Sequence, residues 1–348
     1  MTASGYDTHG SPDTHGSPDT LDTSATTTGI AGILGRGGRY HDPMWTLDVR
    51  LTPLEQRLLR TWPVRRLQFV AHAGAAVLTT NQTYSRLEHS LGLLALVAHF
   101  APGDHVARAA ALLHDVGHLP FSHTFEGLAG LDHHRLGARR IRDMAPLLAE
   151  YDVDAEAVLA AESGARPSVL HAPAGALKLD HLESFLRSGR AHGRLTENPP
   201  RTLARLRVEN GAVHTDRATA GYLAQLAIGE ATYLCSWDAA LANGAVRGMV
   251  DDLIAADDSA AARIATLTDD ELWAELLTDP RTSARARSLR HDPLAWDMRP
   301  ADGNDHDGYA YRITKLYLDT ACVDGYPIGL PNHPLPQLPW ECVVTPPV

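Results

Sequence analysis

His114 and Asp115 follow the run Ala109-Ala-Ala-Leu-Leu113, which sets an imidazole and a carboxylate beside a stretch apolar enough to be buried. Removing a carboxylate from water costs several kcal/mol unless a partner or an ion compensates it. A cation lying between the two side-chain directions can take the histidine nitrogen and the aspartate oxygen together. His118 stands one helical turn further on. His89, in Ser85-Arg-Leu-Glu-His-Ser90, lies on the preceding helical stretch, which can run back antiparallel and bring it opposite His114. The chain has 19 histidines, and they crowd between His89 and His134, so metal or proton chemistry is expected there. The His-Asp dipeptide alone carries little. It recurs at His41, His291 and His306, where Gly, Pro or Asp neighbours make a solvated loop the simpler expectation.

Two histidines with one or two carboxylates and open coordination positions make a hydrolytic or redox metal site. The three cysteines, Cys235, Cys322 and Cys342, are far apart and form no CxxC pair. They are expected as buried, reduced thiols, which argues against a disulfide framework or a closed cysteine zinc site.

The elements that must position these residues read as mainly α-helical. Residues 1–38 are rich in Thr, Ser, Gly and Asp and carry a tandem repeat, Asp7 to Pro12 and Asp13 to Pro18. A disordered tail is expected there, with His9 and His15 on it, and ordered structure from near Tyr40. Leu54, Leu58 and Leu59, then Leu87, Leu91, Leu94 and Val97, recur at helical steps. A short helix is expected over Val106 to Leu119, ended by Pro120, with Ser122 free to cap the next. Asp132 is a fair cap for a helix through Glu150, and Asp154 for another through Glu162. Residues 216–277 are again helical, with Thr268 to Glu271 resembling a capping box. The β signal comes late, over Tyr309 to Val323, and the tail from Pro327 reads as an irregular, proline-rich wrap. The expected division is a tail at 1–38, a catalytic core at 40–200, a helical extension at 201–300, and a small β element with a proline-rich end at 301–348.

At 348 residues and 44% apolar content the chain can bury one large core. A net charge of −11, from 31 Lys plus Arg against 42 Asp plus Glu, argues against coating nucleic acid or an anionic membrane. No run reaches the roughly 18 apolar residues of a membrane helix, and the N-terminus lacks a secretory pattern, so a cytoplasmic protein is expected.

The blocks Ser85 to Gly92, His114 to Glu126 and Asp180 to Gly193 resemble the HD superfamily of metal-dependent phosphohydrolases, and within it the dNTP triphosphohydrolase-like branch. The residues that carry the likeness are Arg86-Leu-Glu-His89-Ser90, then His114-Asp-Val-Gly-His118-Leu-Pro-Phe-Ser-His123, then His133, then Asp180. The likeness reaches back through Thr61 to Gly74 and spans roughly residues 40–195. It implies an HD-type helical fold and metal ligands at His89, His114, Asp115 and Asp180. It also implies that His118, His123 and His133 line the substrate phosphate as proton-transfer groups, that Glu126 holds the His123 ring, and that Arg86 contacts phosphate. One divalent transition metal is implied, and Fe, Mn, Zn, Ni and Co suit such a ligand set about equally.

By the same resemblance, Ser184 and Ser188 occupy positions where relatives carry a sugar-packing Tyr and an Asp that binds the 3′-hydroxyl, and His72 replaces a Gln that touches the sugar. The expected function is therefore hydrolysis of a phosphate ester or anhydride of a nucleotide or related small metabolite, by metal-activated water with histidine acid–base help. Canonical dNTPs are expected to be poor substrates. A homo-oligomer is compatible with this reading. The alternative of an HD scaffold that only binds or regulates is disfavoured by the retained ligands and histidines. A zinc-protease reading of His114-Asp-Val-Gly-His118 is disfavoured by Gly117, which would weaken the helix needed to hold both ligands.

Overall fold

The structure, a computed structural model, describes residues 32–257, 259–301 and 308–347. The repeat with His9 and His15, and the His306 dipeptide, lie outside these residues. Residues 32–38, expected within the tail, belong to the fold. Ile33 packs on the core, and the Leu51 N–H donates to the Gly38 carbonyl at 2.9 Å.

A hairpin, Arg39–Asp42 with Leu47–Arg50, precedes a helix Pro53–Leu58. Thr52 and Glu55 cap that helix reciprocally, and Pro53 supplies a preset φ at its first position. The helix Arg86–Phe100 starts from an equivalent Ser85/Glu88 capping box. Its side chains are buried on nearly every face from Arg86 to Val97, so it is a central element rather than an amphipathic surface one. The turn 101–104 leads into the helix His105–Leu113, whose start is capped by Asp104. These two helices and the helix Leu179–Ala191 share one apolar core, with Leu87, Leu91, Leu94, Leu113, Leu182 and Phe185 among its members.

The helix expected over 106–119 stops at Leu113, and His114 is its C-cap. In the turn that follows, Gly117 passes so close to the His133 carbonyl and the backbone of Gly137 that only a glycine fits there. His114, Asp115 and His118 thus sit on a helix end and a turn, not on one helical stripe. The helix from Asp132 is also interrupted, as His133–Asp143 and Ala145–Ala149, where Pro146 breaks the N–H ladder. Asp154 caps Ala155–Ser163 as expected.

The stretch 201–300 holds the helices Arg217–Leu234, Trp237–Ala256, Ala260–Ile264, Asp269–Thr278 and Ser283–His291. The first of them packs on the first core through Leu223 and Leu226, and the other four build a second apolar cluster that includes Phe121, Phe125, Leu241, Val246, Leu272 and Leu289. Two short strands, Arg207–Glu209 and Ala212–His214, were not expected there. The late β signal divides. Tyr309–Ile313 is a strand of a three-stranded sheet, Cys322–Val323 belongs to a four-stranded one, and residues 314–319 between them are not strand. The proline-rich end is not merely a wrap. Trp340–Thr345 is the central strand of the three-stranded sheet, pairing Asp297–Pro300 on one side and Tyr309–Ile313 on the other, with Cys342 to Val344 buried. No helix among the described residues is long and apolar enough to cross a membrane.

Candidate metal centre

Three helices converge at the floor of a cavity of about 390 Å³. His89 comes from the first turn of Arg86–Phe100, His114 and Asp115 from the end of His105–Leu113, and Asp180 from the first turn of Leu179–Ala191. The His89 and His114 Nε2 atoms are 3.2 Å apart. Asp180 Oδ1 lies 3.1 Å from His89 Nε2 and 3.9 Å from His114 Nε2, and Asp115 Oδ1 lies 3.3 Å from His114 Nε2. The four residues expected as ligands are therefore brought together.

The other ring nitrogens fix the tautomers. His89 Nδ1 faces Glu183 Oε2 at 2.5 Å and His114 Nδ1 faces the Ala111 carbonyl at 3.0 Å, so each of these nitrogens carries the proton and donates. In the neutral rings both Nε2 atoms are lone pairs turned toward each other and toward the Asp115 and Asp180 carboxylates. The ligand atoms of His89, His114 and Asp115 all lie within 4.8 Å of one another, and Asp180 approaches the two imidazoles. Acceptors this close repel one another unless a cation lies between them, and the mixed nitrogen and oxygen set fits a divalent transition metal. The field agrees. Burial alone would lower His89, but Glu183, Asp180 and Asp115 raise it to about 9, so the floor favours positive charge. Burial would raise Asp115, yet His114, Arg86 and His118 hold it well below the usual carboxylate range. Asp180 behaves alike, with Lys178 opposing burial from 2.7 Å.

Behind His89 runs a chain of buried groups that the sequence did not disclose. Glu183 also accepts from Arg187 at 2.6 Å, and Arg187 reaches Asp42 at 3.3 Å. Asp42, expected on a solvated loop, is fully buried and accepts from the Tyr40 hydroxyl and from the Met44 and Trp45 N–H groups. Gly92 leaves room for this chain, because a Cβ there would strike the Glu183 carboxylate. Such partners orient a ligating imidazole and raise its basicity.

Above the floor stand His118, His123 and His133. Their rings form a second cluster, but of another kind. The ligand atoms of His118, His123 and His133 lie within 4.8 Å of one another, but His118 and His133 stack at 4.4 Å with planes 19° apart, and stacked rings direct their in-plane lone pairs side by side rather than at one point between them. His118 Nε2 donates to Asp115 at 3.1 Å, which leaves its Nδ1 a buried lone pair with no protein partner. Burial, reinforced by Arg86, holds His118 well below its usual value, so the ring is neutral. Glu126 reaches His133 Nδ1 at 2.7 Å and not His123 as expected. The loop after the His123–Phe125 turn folds back through Gly127, whose N–H donates to the Leu131 carbonyl, and this carries Glu126 to the start of the next helix. His123 is exposed to the cavity with its ring edge-on to both others. Arg86 is pinned by Asp115 at 3.1 Å and by the Ser122 hydroxyl at 2.9 Å. Ser122 therefore holds an arginine and does not cap the following turn.

Of the expected specificity residues, His72 and Ser184 line the cavity, and the His72 ring lies 4.8 Å from that of Tyr84, tilted by 34°. Ser188 lies behind the wall. Its hydroxyl donates to Glu230, which lines the cavity together with Gln82 and is paired with Arg194 at 2.8 Å. A carboxylate is thus present at this wall after all, supplied from the helix Arg217–Leu234. Lys315, Tyr317 and Asp319, on the segment between the late strands, close the opposite side. Residues from such distant elements leave no local pattern in the sequence.

Residues 86–169 match the family model of the HD domain. A protein of Bacillus subtilis, YdhJ, is 30% identical over 169 residues, which are 46% of this chain and 51% of its own length. An uncharacterized protein of Methanocaldococcus jannaschii is 32% identical over 102 residues, covering 28% of this chain and 22% of that protein. The matched stretches thus span from about a fifth to about half of these curated relatives. Among solved structures, a phosphohydrolase of Bacteroides thetaiotaomicron superposes with a TM-score of 0.58 at 16% identity, over 76% of this chain and 79% of the other. A hypothetical protein of Aquifex aeolicus does so with 0.62 at 18%, over 80% and 86%. The chain carries an HD domain within a mainly α-helical fold.

Proposed function

We propose that the chain is a metal-dependent phosphohydrolase that cleaves a phosphate ester or anhydride of a nucleotide or related small metabolite. The observation that carries this reading is the convergence of His89, His114, Asp115 and Asp180 at the base of a cavity lined by three more histidines and Arg86. A bound divalent metal supplies Lewis-acid polarisation of a phosphoryl oxygen and acidification of water there. Arg86 presents a planar, permanently charged fork that suits phosphate oxygens and is fixed by Asp115 and Ser122. His118, neutral, can accept a proton at Nδ1. His133, held through Nδ1 by Glu126, keeps Nε2 for proton transfer, and His123 stands where the substrate enters.

The organic part of the substrate meets Ser184, His72, Gln82 and Glu230. Ser184 offers no aromatic face, which supports poor turnover of canonical dNTPs. Glu230 offers a carboxylate acceptor, which supports a substrate bearing a hydroxyl or amino group on that side. The test is a screen of p-nitrophenyl phosphate and of nucleoside mono-, di- and triphosphates with protein loaded with Fe, Mn, Zn, Ni or Co. Orthophosphate release from at least one of them is expected. Triphosphate release from dGTP or dATP at kcat/KM above about 10⁴ M⁻¹ s⁻¹ would overturn the altered substrate preference. Absence of hydrolysis with every metal would overturn the enzymatic reading in favour of a binding protein.

A further inference from the structure

The Phe121–Ser122 turn is strained. Phe121 has φ 53° and Ser122 has φ 57° with ψ −118°, a combination that residues with a Cβ rarely adopt. Such a conformation is costly for a residue with a Cβ and persists only where surrounding contacts impose it. The turn matters to the site because the Ser122 hydroxyl donates to the Ala71 carbonyl, accepts from Arg86 Nε, and is followed directly by His123.

The contacts that impose it come from outside the matched HD segment. Asp269, at the start of the helix Asp269–Thr278, points one carboxylate oxygen at each of two loops. Oδ1 accepts from the Phe121 N–H at 2.6 Å and Oδ2 accepts from the Ala71 N–H at 2.8 Å. Ala71 adjoins His72, whose carbonyl accepts from Arg86 Nη2 at 3.5 Å. Arg66 ties the same helix start to the turn before it, donating from Nη1 to the His118 carbonyl at 2.7 Å and from its other nitrogens to the Thr266 and Leu267 carbonyls. Asp269 is not among the cavity-lining residues and so does not meet substrate. Its neighbour Asp270 is exposed at the same helix start and makes no contact with either loop among the described bonds.

We propose that Asp269 is a positioning residue: by accepting from Ala71 and Phe121 at once, it imposes the strained turn that aims Ser122, and through it Arg86 and His123, at the reaction centre. The two oxygens are both needed. An amide at this position would turn an NH₂ group toward one of the two N–H donors and lose that bond.

The experiment is hydrogen exchange on segments covering residues 70–75 and 119–124, in the wild type, Asp269→Asn, Asp269→Glu and Asp270→Asn. It is combined with metal content and with kcat and KM on p-nitrophenyl phosphate. Asp269→Asn is expected to speed exchange in at least one of the two segments by about tenfold or more. It should lower kcat by about 10–100-fold with KM and metal content nearly unchanged, the size typical of lost orienting partners. Asp269→Glu keeps the charge at the helix start but is too long to serve both donors, and is expected to open the same segments. Asp270→Asn is expected to match the wild type. Unchanged exchange in either folded Asp269 variant, or equal effects of Asp270→Asn, overturns the proposal. Failure of both Asp269 variants to fold while Asp270→Asn folds overturns it in favour of a purely structural acid. The kinetic arm rests on the phosphohydrolase reading. If the wild type turns over nothing, that reading fails while the exchange arm still decides on Asp269.

Discussion

The two histidine clusters of this cavity are built from the same side chain and differ in what surrounds it. In the lower one, each imidazole is made to donate through Nδ1, to Glu183 or to the Ala111 carbonyl, and the Nε2 lone pairs face each other at 3.2 Å beside two carboxylates. In the upper one, His118 and His133 stack at 4.4 Å, the carboxylates Asp115 and Glu126 fix their tautomers from outside, and the remaining His118 nitrogen is a buried lone pair with no protein partner. In the proposed reading, orientation rather than composition separates an ion-holding set from a proton-handling one.

The comparison can be broken most severely at its lower half. Asp180→Ala should reduce turnover to background and empty the site of metal, because it removes an oxygen shared between both imidazoles. Turnover that survives in this variant would place the ion elsewhere. At the upper half, His133→Gln should cut kcat by about 10²–10⁴-fold, the usual weight of an acid–base group, while metal content stays at the wild-type level. Loss of metal in His133→Gln would merge the two clusters into one.

A smaller effect is expected behind His89. Glu183→Gln keeps the shape but replaces a carboxylate acceptor, and should weaken metal affinity by about 10–100-fold as judged by competition with a chelator. Equal affinity would show that the Glu183, Arg187 and Asp42 chain only supports packing. The smallest effect concerns sulfur. Burial pushes the Cys235 thiol up to about 11 and Cys342 up to about 12, so native protein near pH 8 should react slowly with thiol reagents. Removing the metal should leave that rate unchanged, since the proposed ligand set is nitrogen and oxygen only. A rate that rises on metal removal would assign a cysteine to the ion.

The legible part of the site was the part whose residues are close in sequence or chemically conspicuous. An acid beside an apolar helix end announced Asp115, and the crowding of histidines announced the rest. Asp180 required the resemblance, because an acid in a first helical turn is ordinary. Glu183 and Arg187 were hidden for a related reason: a Glu/Arg pair four residues apart on a helix reads as a solvated face, and here both are buried. Asp42 was misjudged from its polar neighbours, although its carboxylate is satisfied by four protein donors. The helix starts capped by Asp132 and Asp154 were placed well, although the first of these helices is interrupted before Glu150, whereas the end at Leu113 is followed by a turn whose close packing at Gly117 is tertiary and has no local signal. The strand Trp340–Thr345 was masked by the prolines before it, although Cys342, Val343 and Val344 carry its buried positions. Glu230, Lys315 and Asp269 reach the cavity or its supporting turn from elements far along the chain, and nothing in their immediate sequence points there.

The central claim is that the lower cluster holds the ion and the upper one does not. Elemental analysis of wild type, Asp115→Ala and His123→Ala, each loaded with the same metal and freed of excess, tests it most directly. The account predicts close to one transition metal per chain in the wild type and in His123→Ala, and almost none in Asp115→Ala. Full metal content in Asp115→Ala, or its loss in His123→Ala, would contradict it.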